Sequence, residues 1–202
     1  DDWHMFLTAR HPEDSDGFKE LPPSANITWI AMDYLDPDSI TKAGMTVAAH
    51  SDQLDRVISV AGVLRDPNVS PEKRIADLDS AAMLYAYQIN AMGPVLLAKA
   101  LWPLIKGEHP VIFASLSARV GSISDNRLGG WYAYRASKAA QNQLLRTMSI
   151  ELARYNPHAC VVTLHPGTVD TALSKPFQAH VPADKLFTAA YSADCLWRVM
   201  DG

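Results

Sequence analysis

Cysteine is scarce in this chain: Cys160 and Cys195 are the two among 202 residues. Two thiols cannot build a disulfide framework, and no metal-ligand spacing surrounds either of them. Cys160 lies inside an apolar run, which predicts a buried, reduced thiol. The seven histidines never fall into HxH or HExxH spacing, so no metal site is expected. Basic runs are missing as well. The net charge is -4 and the pI about 5.9, which argues against nucleic acid or an anionic membrane as a partner. No apolar run approaches the roughly 20 residues of a membrane-spanning helix, and residues 1–9 carry no signal-peptide pattern. A cytoplasmic protein is the expectation. Also absent is any GxxxGxG, the turn with which a dinucleotide-binding sheet ordinarily opens and whose helix holds the pyrophosphate.

What is present is a globular composition, 48% hydrophobic and 20% charged. No repeat or low-complexity linker divides it, so residues 1–202 are expected to form a single domain. Apolar runs at 3–9, 27–32, 57–62, 111–116 and 160–164 predict five strands. Between them, helices are predicted from Asp36-Pro37 to Ala49, from Leu78 to Leu104 with a loosening near Asn90 and Gly93, and from Trp131 to Leu152. A terminal helix covers 189–200, and His165 to Lys185 is mostly irregular. Val- and Ile-rich strands alternating with helices indicate an α/β fold with a doubly wound parallel, Rossmann-like sheet. Ligands gather at the carboxyl ends of such strands, where Arg10, Asp33, Ala61-Gly62, Ser117 and Pro166-Gly167 fall.

The chain is organised around the helix that opens after Gly129-Gly130. Ala133, Ala136, Ala140, Leu144 and Met148 are expected to make its buried face. Tyr134 and Lys138, four apart, share one side of that helix, whereas Tyr132 does not. A phenol titrates near ~10 in water, too high for a good acid at neutral pH, and an adjacent ammonium is expected to lower it. Such a pair also occurs by chance on solvated helix faces.

The run Tyr134-Arg135-Ala136-Ser137-Lys138-Ala139-Ala140 resembles the active-site helix of the short-chain dehydrogenase/reductases. With Gly121-Ser122-Ile123 and Gly129-Gly130 it is most similar to the C-factor and sniffer-like carbonyl reductase branch. The resemblance implies that residues 3–10 correspond to the family's second strand, so that the family's first strand and its glycine-rich helix are missing ahead of Asp1. It also implies an incomplete domain, with two strand edges left unpaired where that first strand would lie.

The same resemblance assigns the site. Tyr134 would be the general acid, Lys138 would lower its pKa and hold a ribose, and Asn90 would support a water leading to the lysine. The oxyanion-donating hydroxyl falls to Ser117, with Ser122 and Ser115 as alternatives, because Ala118 occupies the family's usual serine position. For the cofactor, Arg10 at the strand end would meet a 2′-phosphate and favour NADP over NAD. Asp33 would contact adenine, and Ala61 with Gly62 would keep a small platform, although Ser59-Val60 replace the family's two asparagines. Pro166, Gly167 and Val169 would run beside the nicotinamide, and Thr171 would reach a phosphate. Residues 173–181 would form a lid, with Trp131 and Phe177 as apolar walls.

The implied activity is an NADP-preferring oxidoreductase reducing a small carbonyl compound to an alcohol. The rival is a dinucleotide-binding regulatory or signalling protein with little catalysis. Family members commonly pair through their fourth and fifth helices, so a homodimer or homotetramer is expected from the faces of residues 96–104 and 144–152.

Overall fold

The computed structural model describes residues 3–22 and 24–201. Seven strands appear in the order β1 (Met5–Ala9), β2 (Ile27–Ala31), β3 (Arg56–Ser59), β4 (Val111–Leu116), β5 (Ala159–Leu164), β6 (Thr168–Val169) and β7 (Leu186–Phe187). The helices are α1 (Asp16–Glu20), α2 (Pro37–Ala48), α3 (Ser80–Tyr87), α4 (Gly93–Ala100), α5 (Trp102–Ile105), α6 (Tyr132–Leu152) and α7 (Ala189–Asp201). Every strand pairing is parallel, as strands separated by helical crossovers require.

The period of two along each strand decides the layers. On β3 and β4 the side chains of Val57, Ser59, Phe113 and Ser115 are buried. They face a layer in which α2 packs on α4, and α6 packs on α3 and α4. The opposite face meets α7, whose Trp197 stacks on the Arg56 guanidinium at 4.6 Å and whose Asp201 pairs with it at 2.5 Å. On β2, Trp29 turns the same way to meet Phe18 of α1. Ile30, Ile40, Val57, Leu97, Phe113, Leu145 and Leu152 belong to one continuous core.

The strands described fall into three sheets, one of them the short β6-β7 pair. β1 pairs with β2, and β3-β4-β5 form a separate group, with no ladder between β1 and β3 among the described residues. This matches the unpaired edges expected there.

The helix expected from 78 to 104 runs through α3, a π-helical turn at Gln88–Met92 and α4, with α5 following Leu101. The widening falls at Asn90, where the sequence suggested looseness. Three other local expectations need correction. Segment 165–185 is less irregular than expected, because β6 pairs with β7 and one 3-10 helix spans Lys175–His180. The buried face of α6 is Ala133, Ser137, Lys138, Gln141, Leu145, Met148 and Leu152. Ala136 is exposed, and Ala140 and Leu144 are half-buried. Reading apolarity alone set this face one residue off, since its upper half is lined by polar groups bonded to one another. Cys160 is exposed rather than buried. It alternates onto the opposite face of β5 from Val161, which packs against the main core.

Ser59, one of the two residues standing where the family has asparagines, is held by a partner distant in sequence. Ser59 Oγ and the Tyr34 hydroxyl are 2.9 Å apart in the core, tying the end of β3 to the segment after β2. Tyr34 fits because residue 93 is glycine, where a Cβ would stand 2.2 Å from the Tyr34 ring.

Candidate active site

The carboxyl end of β4 and the start of α6 meet in a cleft of about 1070 Å³. Its floor includes Ser117, Tyr134 and Lys138, and its sides include Gly62, Pro166, Gly167 and Phe177.

The start of α6 is set by residues far away in sequence. Trp131, the residue before the helix, has φ 54° and ψ 46°, a left-handed conformation, and offers no side-chain cap. Two left-handed glycines precede it, Gly129 and Gly130, each with φ 66°. Glu72, buried in the loop after β3, supplies the missing cap. Its backbone carbonyl accepts from Trp131 N–H at 2.6 Å, and its carboxylate oxygens lie 3.3 and 3.4 Å from Ala133 N. A carboxylate at a helix amino end satisfies a free N–H and opposes the positive end of the dipole. The sequence reading missed Glu72. Its only sequence signal, an acidic residue in a polar loop, does not reveal a partner 61 positions on.

One turn into α6, Tyr134 is half-buried and packs edge-on against Trp131, with ring centroids 6.2 Å apart. Lys138 is 4% exposed, and its ammonium lies 5.9 Å from the Tyr134 ring centroid. The ammonium donates to Leu116 O at 2.8 Å and to Gln141 Oε1 at 2.9 Å. Burial pushes the Tyr134 phenol up to about 12 and the Lys138 ammonium down to about 8. The expected acidification of Tyr134 by Lys138 is therefore not present in this arrangement. The lysine's hydrogens go to a carbonyl and an amide, and desolvation of the phenol prevails.

Asn90 is wholly buried. Its Oδ1 accepts from Val63 N at 2.7 Å, and its Nδ2 donates to Val63 O at 2.8 Å and to Ser137 Oγ at 3.0 Å. It thus clamps the loop after β3 onto α6, next to the lysine. Gly62 lies at the same point: a Cβ there would be 3.2 Å from Asn90 Oδ1 and 3.5 Å from Lys138 Nζ. Gly121 permits a second close approach, since a Cβ on it would be 2.9 Å from the Lys138 carbonyl carbon.

Of the three candidate serines, Ser117 alone lines the cleft. It continues the β4–β5 ladder through its N–H to Leu164 O at 2.8 Å, and its hydroxyl donates to Asn142 Oδ1 at 2.7 Å. Ser115 is fully buried and accepts from Gln141 Nε2 at 2.7 Å. Ser122 faces Ser124 across 3.4 Å.

The residues proposed to meet a cofactor divide into two groups. Gly62, Tyr134, Lys138, Pro166, Gly167, Val169 and Thr171 all line the cleft. Gly167 has φ 76°, and a Cβ there would be 2.6 Å from the Phe187 ring, so the turn after β5 depends on glycine. Arg10, Asp33 and Ala61 do not join them. Arg10 and Ala61 are exposed outside the lining, and Asp33 closes a local turn by accepting from Leu35 N at 2.9 Å. Arg10 and Asp33 follow β1 and β2, which among the described residues form no ladder with β3, and the cleft forms over β4, β5 and α6.

The apolar walls expected at Trp131 and Phe177 are both present, with ring centroids 4.9 Å apart. Leu173 and Val181 extend the wall, and Arg127, Lys185 and the Arg119–Asp125 ion pair, 2.7 Å apart, line the same cleft. His165 also lines it, and burial followed by the Arg119 charge holds its imidazole below the usual range. Among the described residues no cluster of side chains could hold a metal ion, and no helix is long and apolar enough to cross a membrane.

Comparison with known proteins gives this geometry a family. The chain is 30% identical over 173 residues to an uncharacterized oxidoreductase of Schizosaccharomyces pombe, covering 84% of this chain and 65% of that protein. It is 37% identical over 129 residues to the C-signal of Myxococcus xanthus, covering 63% of this chain and 72% of that one. Among solved structures it is similar to an NADPH-bound carbonyl reductase from chicken fatty liver. There the TM-score is 0.81 at 27% identity, covering 97% of this chain and 79% of the other. A C-signal and a carbonyl reductase are relatives of the kind that residues 134–140 resembled when taken with 121–123 and 129–130. The family model for short chain dehydrogenases matches residues 1–182, and the chain belongs to that family.

Proposed function

We propose that the protein is an NADP-preferring oxidoreductase that reduces the carbonyl group of a small molecule to an alcohol. The observation that carries this reading is the convergence of Tyr134, Lys138 and Ser117 on one cleft that Gly62 and the Pro166-Gly167 turn also line. The similarity to an NADPH-bound carbonyl reductase supports the choice of cofactor and of reaction.

The residues present fit the nicotinamide-ribose half of the cofactor. Gly62 brings the loop after β3 close to Asn90 and Lys138, and the left-handed turn at Gly167 lines the same cleft. Lys138, Pro166, Gly167 and Val169 would hold that half, with Thr171 toward the phosphates. When bound, the cofactor supplies a hydride. Ser117 turns its hydroxyl from Asn142 Oδ1 to donate a hydrogen bond to the substrate oxygen as that oxygen gains negative charge, and Tyr134 delivers the proton to it. Lys138 holds positive charge near the phenol as it becomes phenolate. Trp131, Leu173 and Phe177 exclude water from the reacting carbonyl. We further propose a small-molecule substrate and a homodimer or homotetramer; of the faces at 96–104 and 144–152, Leu97, Leu101, Leu104, Leu145 and Leu152 are buried in the chain's own core and Ile150 is exposed.

The experiment is NADPH oxidation across aldehydes, ketones and quinones. Turnover with any class supports the reading. The second reading, a regulatory dinucleotide binder, is favoured by the phenol held at about 12 and by the similarity to a C-signal. It expects a change in NADPH fluorescence on binding with no oxidation of any carbonyl.

A further inference from the structure

We propose that Gln141 is a positioning residue for Lys138, an inference that rests on the reductase reading above for its chemical meaning. Gln141 is fully buried in α6, one turn before Leu145 and on the same face as Met148 and Leu152. A buried amide is costly unless its polar atoms are satisfied, and a leucine would fill the same volume without that demand. The amide therefore adds something other than packing.

Its bonds show what that is. Oε1 accepts from Lys138 Nζ at 2.9 Å, while Nε2 donates to Ser115 Oγ at 2.7 Å and to Leu116 O at 3.1 Å. Leu116 O can only accept, which fixes the Nε2 end toward β4 and leaves Oε1 facing the lysine. A lysine head on a four-carbon stem has many positions open to it. Here it is fastened at two points, the Leu116 carbonyl and the Gln141 amide. The amide is anchored in turn by Ser115, so the end of β4 sets the position of the ammonium through Gln141.

The groups facing that ammonium can be stated element by element. On α6 these are Tyr134, its ring centroid 5.9 Å away, and Gln141. On β4 it meets Leu116 O, and on the loop after β3 the Gly62 backbone. Among the described residues no carboxylate pairs with Lys138, and Gln141 is the single side-chain acceptor it has. Replacing that acceptor therefore changes both where the ammonium rests and how readily it keeps its proton.

The test compares Gln141→Leu and Gln141→Glu with the unchanged protein, full chain in each case. The Lys138 titration is followed by the 13Cε signal of labelled lysine, assigned through Lys138→Met. Losing a charge-assisted acceptor should move the titration down by roughly one pH unit. A carboxylate at the same place should move it up by roughly one unit or more. The alkaline limb of kcat with NADPH should follow in the same order. A packing role alone would leave both profiles in place. Gln141→Glu keeps the shape and an acceptor, so it carries the test should the leucine variant fail to fold. Identical Lys138 titrations in all folded forms would overturn the proposal, whatever the protein catalyses. Shifted titrations in a protein that reduces no carbonyl would leave the glutamine–lysine link standing and remove the reductase reading instead.

Discussion

Replacing Lys138 with methionine should leave a signature in stability against pH that can be calculated from its burial. In the folded protein the ammonium is pushed down to about 8 from 10.5, so between those values the unfolded chain binds the more protons. Stability must then rise with pH across that window, with the burial penalty fully present below pH 8. Integrating the two titrations from pH 7 to pH 10 gives about 2.5 kcal/mol regained by the unchanged protein. Methionine keeps the apolar stem and removes the charge, so Lys138→Met lacks this term. Its stability relative to the unchanged protein should fall by about 2 to 3 kcal/mol over the same interval. Leaving Gln141 Oε1 without a donor, and Leu116 O with Gln141 Nε2 as its remaining one, adds a cost of its own. That cost is the same at each pH and drops out of the comparison. Urea unfolding at pH 7, 8.5 and 10 reads the difference directly, provided the m-values agree. Measurements stop at pH 10 because Tyr134, pushed up to about 12, lowers stability above that point. A difference that stays flat from pH 7 to 10 would show that the ammonium is not desolvated as described.

Three further substitutions probe the surroundings of the pair. Glu72→Ala should destabilise the fold by about 1 to 2 kcal/mol through loss of the distal cap. It should also speed hydrogen exchange at Ala133, whose N–H faces the carboxylate; unchanged exchange there would refute the capping role. Asn90→Ala leaves Val63 N–H and C=O buried without their side-chain partner, and chemical denaturation should show a loss of about 2 to 4 kcal/mol. A loss below about 0.5 kcal/mol, the range of ordinary surface changes, would contradict that clamp. Ser117→Ala should reduce kcat by about 10²-fold with little change in NADPH affinity, whereas unaltered kcat would pass the oxyanion role to another group.

The fold could be read from the sequence because its signals are local and repeated. Val-Ile-Phe-Ala-Ser-Leu at 111–116 is a buried strand by composition alone, and Asp36-Pro37 announces α2 through a cap that accepts from Asp38 N. Tyr134 and Lys138 were legible for the same reason, since four residues on a helix fix one face. What escaped was set by distant partners. The cap of α6 comes from Glu72, the brace on β3 comes from Tyr34, and the acceptor on Lys138 comes from a glutamine that polarity alone would place outside. Cys160 was misplaced because an apolar run does not say which side of its strand another element covers. Arg10 and Asp33 end their strands as expected, yet strand order decides whether such ends share a cleft, and β1 and β2 stand apart from β3.

The proton donor is the claim on which the functional reading stands, and Tyr134→Phe tests it most directly. With NADPH and the best carbonyl substrate of the panel, the variant should retain cofactor binding within about threefold and lose turnover by about 10²-fold or more. Undiminished kcat in the phenylalanine form would show that the proton comes from elsewhere in the cleft.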